Sequence, residues 1–188
     1  RYTGRSIPRH RDRFGRYWAF NQILYRNSPR YEPVPRKGFF TCRRSQRPGD
    51  PEPAAREEAF PRLWEAAPEA LLDLLAGSRC EPVHRFAVKV LRDCPDFCRR
   101  LDVPALIRLL EAPYEVTVGL GLDLTVRRYD PDHPDHALVL ALANCGLARA
   151  REQARQWIDR QRARFTGDHP FLAALAGSPH ADTRDFVR

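Results

Sequence analysis

Leu71-Leu72-Asp73-Leu74-Leu75-Ala76-Gly77-Ser78 is an apolar helical run that closes on a small-residue turn, and its last four residues return unchanged as Leu175-Ala176-Gly177-Ser178. The two copies lie 100 residues apart, close to three periods of 33. Dividing that interval predicts two intermediate copies, found as Leu110-Glu111-Ala112-Pro113 and Leu142-Ala143-Asn144-Cys145. Each closes an apolar helix with small or turn-forming residues.

After each turn a second helix begins in a comparable way. Val83, Val116, Ala150 and Thr183 follow one another at steps of 33, 34 and 33 residues, and Ala87, Leu120, Ala154 and Val187 stand four residues further on. Residues four apart share a helix face, so these pairs predict an inner stripe. His84, Thr117, Arg151 and Arg184 would then be polar positions beside it. A single helical hairpin cannot bury both faces of its apolar stripe, so copies at this period must stack to share a core.

Start and stop signals place the helices at 54–67 with a kink near Pro61, then 69–76, 82–93, 103–111, 115–128, 137–143, 147–165, 170–176 and from about Ala181 onward. No segment among them alternates as a strand. The expected fold class is all-α: a short α-solenoid of helical hairpins carrying an N-terminal basic arm and helix. Because Arg188 falls only a few residues into the last second helix, the array is expected to continue beyond it.

The run Leu71-Leu72-x-Leu74-Leu75-Ala-Gly-Ser followed by Pro82-Val83-His84-Arg85-Phe86-Ala87 resembles a HEAT-type repeat. Ala173-Ala174-Leu175-Ala176-Gly177-Ser178-Pro179 followed by Thr183-Arg184 resembles it too, and the likeness extends over about residues 68 to 188. It implies a scaffold or curved binding surface in place of a catalytic centre. Gly119 and Gly121 depart from the pattern, each costing about 1 kcal/mol relative to Ala inside a helix unless close packing requires them.

The N-terminal quarter differs in kind. Residues 1 to 44 hold 12 Arg or Lys against Asp12 and Glu32, a balance of +10, whereas the rest of the chain balances at −2. Arg1 to Arg13 lacks apolar periodicity, Phe14 to Tyr25 has helical spacing, and Pro29, Pro33 and Pro35 forbid regular helix after it. Gln46 to Pro53 is the expected linker, dividing the chain into 1–52, a basic arm with one amphipathic helix, and 53–188, the repeat array.

Arginines interleaved with Phe14, Tyr17, Trp18 and Tyr25 match the phosphate-plus-stacking composition of nucleic-acid binders. A second basic stretch runs from Leu147 to Phe165. The candidate phosphate-binding residues are Arg5, Arg9, Arg11, Arg13, Arg16, Arg26, Arg151, Arg155 and Arg162. The alternative role for the aromatic residues is to anchor the N-terminal helix onto the first repeat, with the arginines left in water. The expected function is a non-catalytic recognition module for an anionic macromolecule, either nucleic acid or an acidic protein surface.

Other chemistry finds little support in the residues. Asp130-Pro131-Asp132-His133-Pro134-Asp135-His136 concentrates carboxylates and imidazoles but lacks structural-zinc spacing, and Asp135 is better placed near a helix N-terminus. No metal or cofactor is expected. Five cysteines at irregular spacing, Cys42, Cys80, Cys94, Cys98 and Cys145, suit reduced thiols in a cytoplasm, and no run is apolar enough to span a membrane. One enzymatic alternative stands: some HEAT-like folds resemble the alkylpurine DNA glycosylases, for which Trp64, Trp157, Asp123 and the arginines from Arg149 to Arg164 supply residue types but no alignable motif.

Overall fold

A computed structural model describes residues 17–43, 46–47 and 50–188. The described residues are predominantly helical, with one two-stranded hairpin, and divide into two compact units. The first runs to Leu74 and resumes over Ser78–Cys94; the second holds Leu75–Gly77 and Pro95–Arg188.

The first unit begins with α1 (Trp18–Tyr25) and an antiparallel hairpin of β1 (Tyr31–Val34) and β2 (Phe39–Cys42), with Tyr31 opposite Cys42. The prolines that forbid helix after Tyr25 are compatible with a short edge strand, and the hairpin was not legible from alternation in so few residues. Gly38 closes its turn at φ +63°, in the left-handed region that favours glycine. Helix α2 is confined to Pro61–Ala66, so the helix expected from Ala54 is corrected: residues 54–60 form a non-helical strap. The strap is held to the end of α1, since Asn27 N donates to Glu57 O and Ala59 N donates to Ile23 O. Phe60 ends it at φ 54°, where Pro61 disfavours the right-handed helical conformation in the residue before it. Helices α3 (Pro68–Gly77) and α4 (Glu81–Arg92) follow.

The second unit contains α5 (Pro95–Arg99), α6 (Val103–Leu110), α7 (Glu115–Arg128), α8 (His136–Asn144), α9 (Ala148–Arg160), α10 (Arg162–Phe165), α11 (His169–Ala176) and α12 (Ala181–Phe186). Helix α6 packs on α7, α8 on α9, and α11 on α12; α8 also packs against both α6 and α11, and α12 against α9. Helices α6, α8 and α11 start at 103, 136 and 169, and α7, α9 and α12 at 115, 148 and 181, a step of 33 throughout.

This strict period has local causes. Asp102, Asp135 and Asp168 cap α6, α8 and α11, each accepting a hydrogen bond from the backbone N–H three residues on, at 2.8, 3.0 and 2.9 Å. The two Leu-Ala-Gly-Ser copies turn alike, because Ser78 Oγ accepts from Cys80 N and Ser178 Oγ from His180 N. Arg151 Nη1 donates to Cys145 O and Arg184 Nη1 to Ser178 O, and His84 Nε2 makes the same reach of six residues to Ser78 O.

The inner stripe needs a correction of one residue in two units. His84, Thr117, Ala150 and Thr183 are the buried positions, at 0 to 1% exposure, whereas Val83 and Val116 are half-buried. Aligning valines with Ala150 made the step of 34; the fold aligns His84 and Thr117 there instead. Burying these polar groups is possible because they are bonded, His84 to Ser78 O and Thr183 Oγ1 to Ala143 O at 2.7 Å.

Both glycines of α7 lie where side chains close in. A Cβ on Gly121 would stand 3.1 Å from Leu109 Cβ and 3.2 Å from Leu110 N, whereas one on Gly119 would meet only the tip of Arg149, at 3.0 Å. Gly121→Ala should therefore lower unfolding free energy by about 1–3 kcal/mol through overpacking against backbone. Gly119→Ala should be neutral or stabilising by up to about 1 kcal/mol, since the arginine can shift and helix propensity improves. Urea denaturation of the two variants checks this order, and equal losses would contradict it.

Candidate nucleic-acid interface

Arg5, Arg9, Arg11, Arg13 and Arg16 lie outside the described residues. Arg26, at the C-cap of α1, is exposed and donates to Gln22 Oε1 at 3.3 Å. Arg36 and Lys37 are exposed between the two strands, and Arg43 pairs with Glu32 at 3.6 Å. Arg30 is different: it is buried and grips Glu57 with two hydrogen bonds, Nε to Oε1 at 3.0 Å and Nη2 to Oε2 at 2.6 Å. Ser28 donates to the same carboxylate. A buried guanidinium held in this way keeps the strap in place, because either partner alone would be an uncompensated charge.

The aromatic residues of this unit are packed. Trp18 meets Phe40 with ring centroids 5.4 Å apart, Tyr25 meets Tyr31 at 4.8 Å, and the Arg30 guanidinium sits 5.1 Å above the Tyr31 ring. These contacts tie α1 to the hairpin, whereas the anchoring expected for these aromatic residues is onto the first repeat.

In the second unit Arg151 and Arg155 converge on one carboxylate. Arg151 Nε lies 3.1 and 3.0 Å from the two oxygens of Asp182, and Arg155 Nη1 is 2.7 Å from Oδ2. Both arginine side chains are largely covered, at 12% and 17% exposure, and Arg155 also pairs with Glu152 at 2.7 Å. Their charge is thus offset where α9 meets α12. The hydrogen bond from Arg155, with that from Arg151, lowers the Asp182 pKa to about 2 against the partial desolvation that would raise it. Arg162 is exposed on α10 and pairs with Asp159 at 2.6 Å. Arg149 and Arg160 are exposed, and so is Arg164, which bonds to Asp132.

The Asp130 to His136 segment resolves into separate local bonds. Asp130 accepts from Asp132 N at 2.8 Å and lies 3.3 Å from His133 Nδ1. Asp135 caps α8, and His136 Nδ1 reaches Asp168 Oδ2 at 2.7 Å. That bond, followed by the one from Phe171 N, lowers the Asp168 pKa. Among the described residues no three His, Cys, Asp or Glu side chains converge as a metal site. None of the five cysteines forms a disulfide, and burial raises the pKa of Cys80, Cys94 and Cys145. Trp64 donates to Ala59 O at 2.9 Å and packs edge-on to Phe86; Trp157 is buried and stacks on Tyr129 at 3.7 Å; Asp123 is half-buried on α7.

Asp168, Asp182 and Gln161, whose amide accepts from Tyr129 OH and donates to Pro131 O, are organising residues that the sequence did not single out. The first had a signal, the 33-residue steps from Asp102 to Asp135 and from Asp135 to Asp168. No helix among the described residues is long and apolar enough to cross a membrane. No family model, curated protein or solved structure matches the chain.

Asp182 supplies a pH test. Its folded-state pKa lies near 2 and its unfolded value near 3.9, so its contribution is complete above about pH 4 and is lost as pH falls toward 2. Asp182→Asn should be less stable than the parent at pH 7, and the gap should narrow between about pH 4 and 2. Urea midpoints across that range measure it, and a gap independent of pH would contradict the pairing.

Proposed function

We propose that residues 68–188 are a short α-solenoid of HEAT-like hairpins and that the chain is a non-catalytic recognition module whose ligand is nucleic acid. The observation that carries the ligand is the charge asymmetry, +10 over residues 1–44 against −2 over the remainder. A segment with that density of arginine attracts a phosphate backbone through a field that salt screens. The repeat reading is supported by helix starts, Asp caps and Ser turns that return with the period seen in the sequence.

Within this reading the phosphate contacts fall to Arg5, Arg9, Arg11, Arg13 and Arg16 of the arm, with Arg26 and Arg162 as exposed additions. Arg151 and Arg155 act on the fold through Asp182. An acidic protein surface is the competing ligand, and salt dependence with a duplex probe separates the two. The logarithm of affinity for a DNA duplex should fall linearly with the logarithm of salt concentration, by roughly 0.9 per phosphate contact. Replacing Arg9, Arg11, Arg13 and Arg16 with Ala should flatten that slope and weaken binding to different sequences about equally, since phosphate contacts carry no base information. Unchanged binding by the quadruple variant, or no binding by the parent at low salt, would rule out nucleic acid as the ligand.

A further inference from the structure

A cleft of about 240 Å³ opens in the second unit between the start of α6, the end of α7, the 129–135 loop, α8 and α9. Its apolar wall includes Val139 and Trp157, and Arg128, Asp130 and His133 stand at its rim. Thr125 also lines it, is fully buried, and its Oγ1 has no hydrogen-bond partner. An unbonded hydroxyl in the interior carries a desolvation cost that the fold leaves uncompensated, and natural interiors rarely keep one. Its position against a cleft, beside an apolar wall and groups that bond through both donors and acceptors, is the usual composition of a small-molecule site.

The lining restricts the ligand. At about 240 Å³ the cleft is smaller than the roughly 300–1,000 Å³ of pockets for drug-sized molecules, so it suits one or two rings. Arg128 offers only donors, though its Nη1 already gives one bond to Leu101 O at 2.9 Å, and Asp130 offers only acceptors. Their opposite charges offset each other, and Asp135, the other carboxylate of the lining, is engaged by the N-terminus of α8, so a neutral guest is favoured over an ion. Tyr129 and Trp157, stacked with planes 3° apart, add an aromatic edge. We infer that this cleft binds a neutral planar heteroaromatic ring bearing both donors and acceptors, a ring of nucleobase type, with Thr125 Oγ1 bonding to its inner edge. The inference stands apart from the phosphate reading, because it uses none of the arm's arginines and concerns an uncharged ring.

The test is a titration of the full chain with adenosine, cytidine, uridine and, as an apolar control, benzene, followed through the indole N–H resonance of Trp157. That resonance is assigned by its loss in Trp157→Phe, and Trp18 and Trp64 serve as internal references. At least one nucleoside should shift the Trp157 signal saturably while benzene binds at least about tenfold more weakly. Thr125→Val, which keeps the shape and removes the hydroxyl, should weaken nucleoside binding about tenfold or more while melting at the parent's temperature or above it. A single-stranded oligonucleotide distinguishes the source of the ring: if Thr125→Val weakens its binding too, the base comes from a strand, and if only the nucleoside is affected, the ligand is the free molecule. No shift with any nucleoside, equal binding of benzene, or equal nucleoside affinity of Thr125→Val would overturn the assignment.

Discussion

The second unit depends on the two oxygens of one carboxylate. Asp168 uses Oδ1 to cap α11 at Phe171 N and Oδ2 to meet His136, the first residue of α8. A capping aspartate satisfies one of the four N–H groups that a helix start leaves unpaired, and it places negative charge at the positive end of the helix dipole. Here the same group also fixes α11 against α8, whose start lies 33 residues before its own. Asp102 and Asp135 perform the capping at the same phase, so the period of the chain is written in polar residues as firmly as in leucines.

Further bonds between elements about 32 residues apart follow from that phase. Gln161 leaves the helical conformation between α9 and α10, at φ −127° and ψ 34°, and its amide accepts from Tyr129 OH and donates to Pro131 O. Arg151 meets Asp182, and His180 Nε2 donates to Asn144 O. Each bond links one helix pair to the next along the chain, across 30 to 36 residues. Exposed Arg164 of α10 joins the same pattern through Asp132, and Arg151 and Arg155 are drawn into it at Asp182.

Much of this was legible in the sequence, because helix ends carry local signals. The span 115–128 of α7 was read to the residue, and the starts of α8, α11 and α12 to within one. The misreadings share a cause: they arose where tertiary bonds override local preference. Residues 54–60 look helical, yet Glu57 is needed by buried Arg30 and the strap's backbone bonds to α1. The segment 147–165 looks like one helix until Gln161 is taken by the preceding loop. The inner stripe slipped by one residue because a buried histidine is acceptable only when its partner, Ser78 O, is known. In the candidate interface, composition revealed the charge but not its neutralisation at Asp182, and nothing in the order of residues marked the bare hydroxyl of Thr125.

The joining of α8 to α11 at a 33-residue period can be measured at Asp168. Urea denaturation of Asp102→Ala, Asp168→Ala, His136→Ala and the His136/Asp168 double variant should show each lost cap costing about 1 kcal/mol, within the ~0.5–2 kcal/mol of such changes. Asp168→Ala should cost more than Asp102→Ala, and the double variant less than the sum of its singles, because the two residues share one bond. Equal costs for the two caps together with strict additivity of His136 and Asp168 would contradict it.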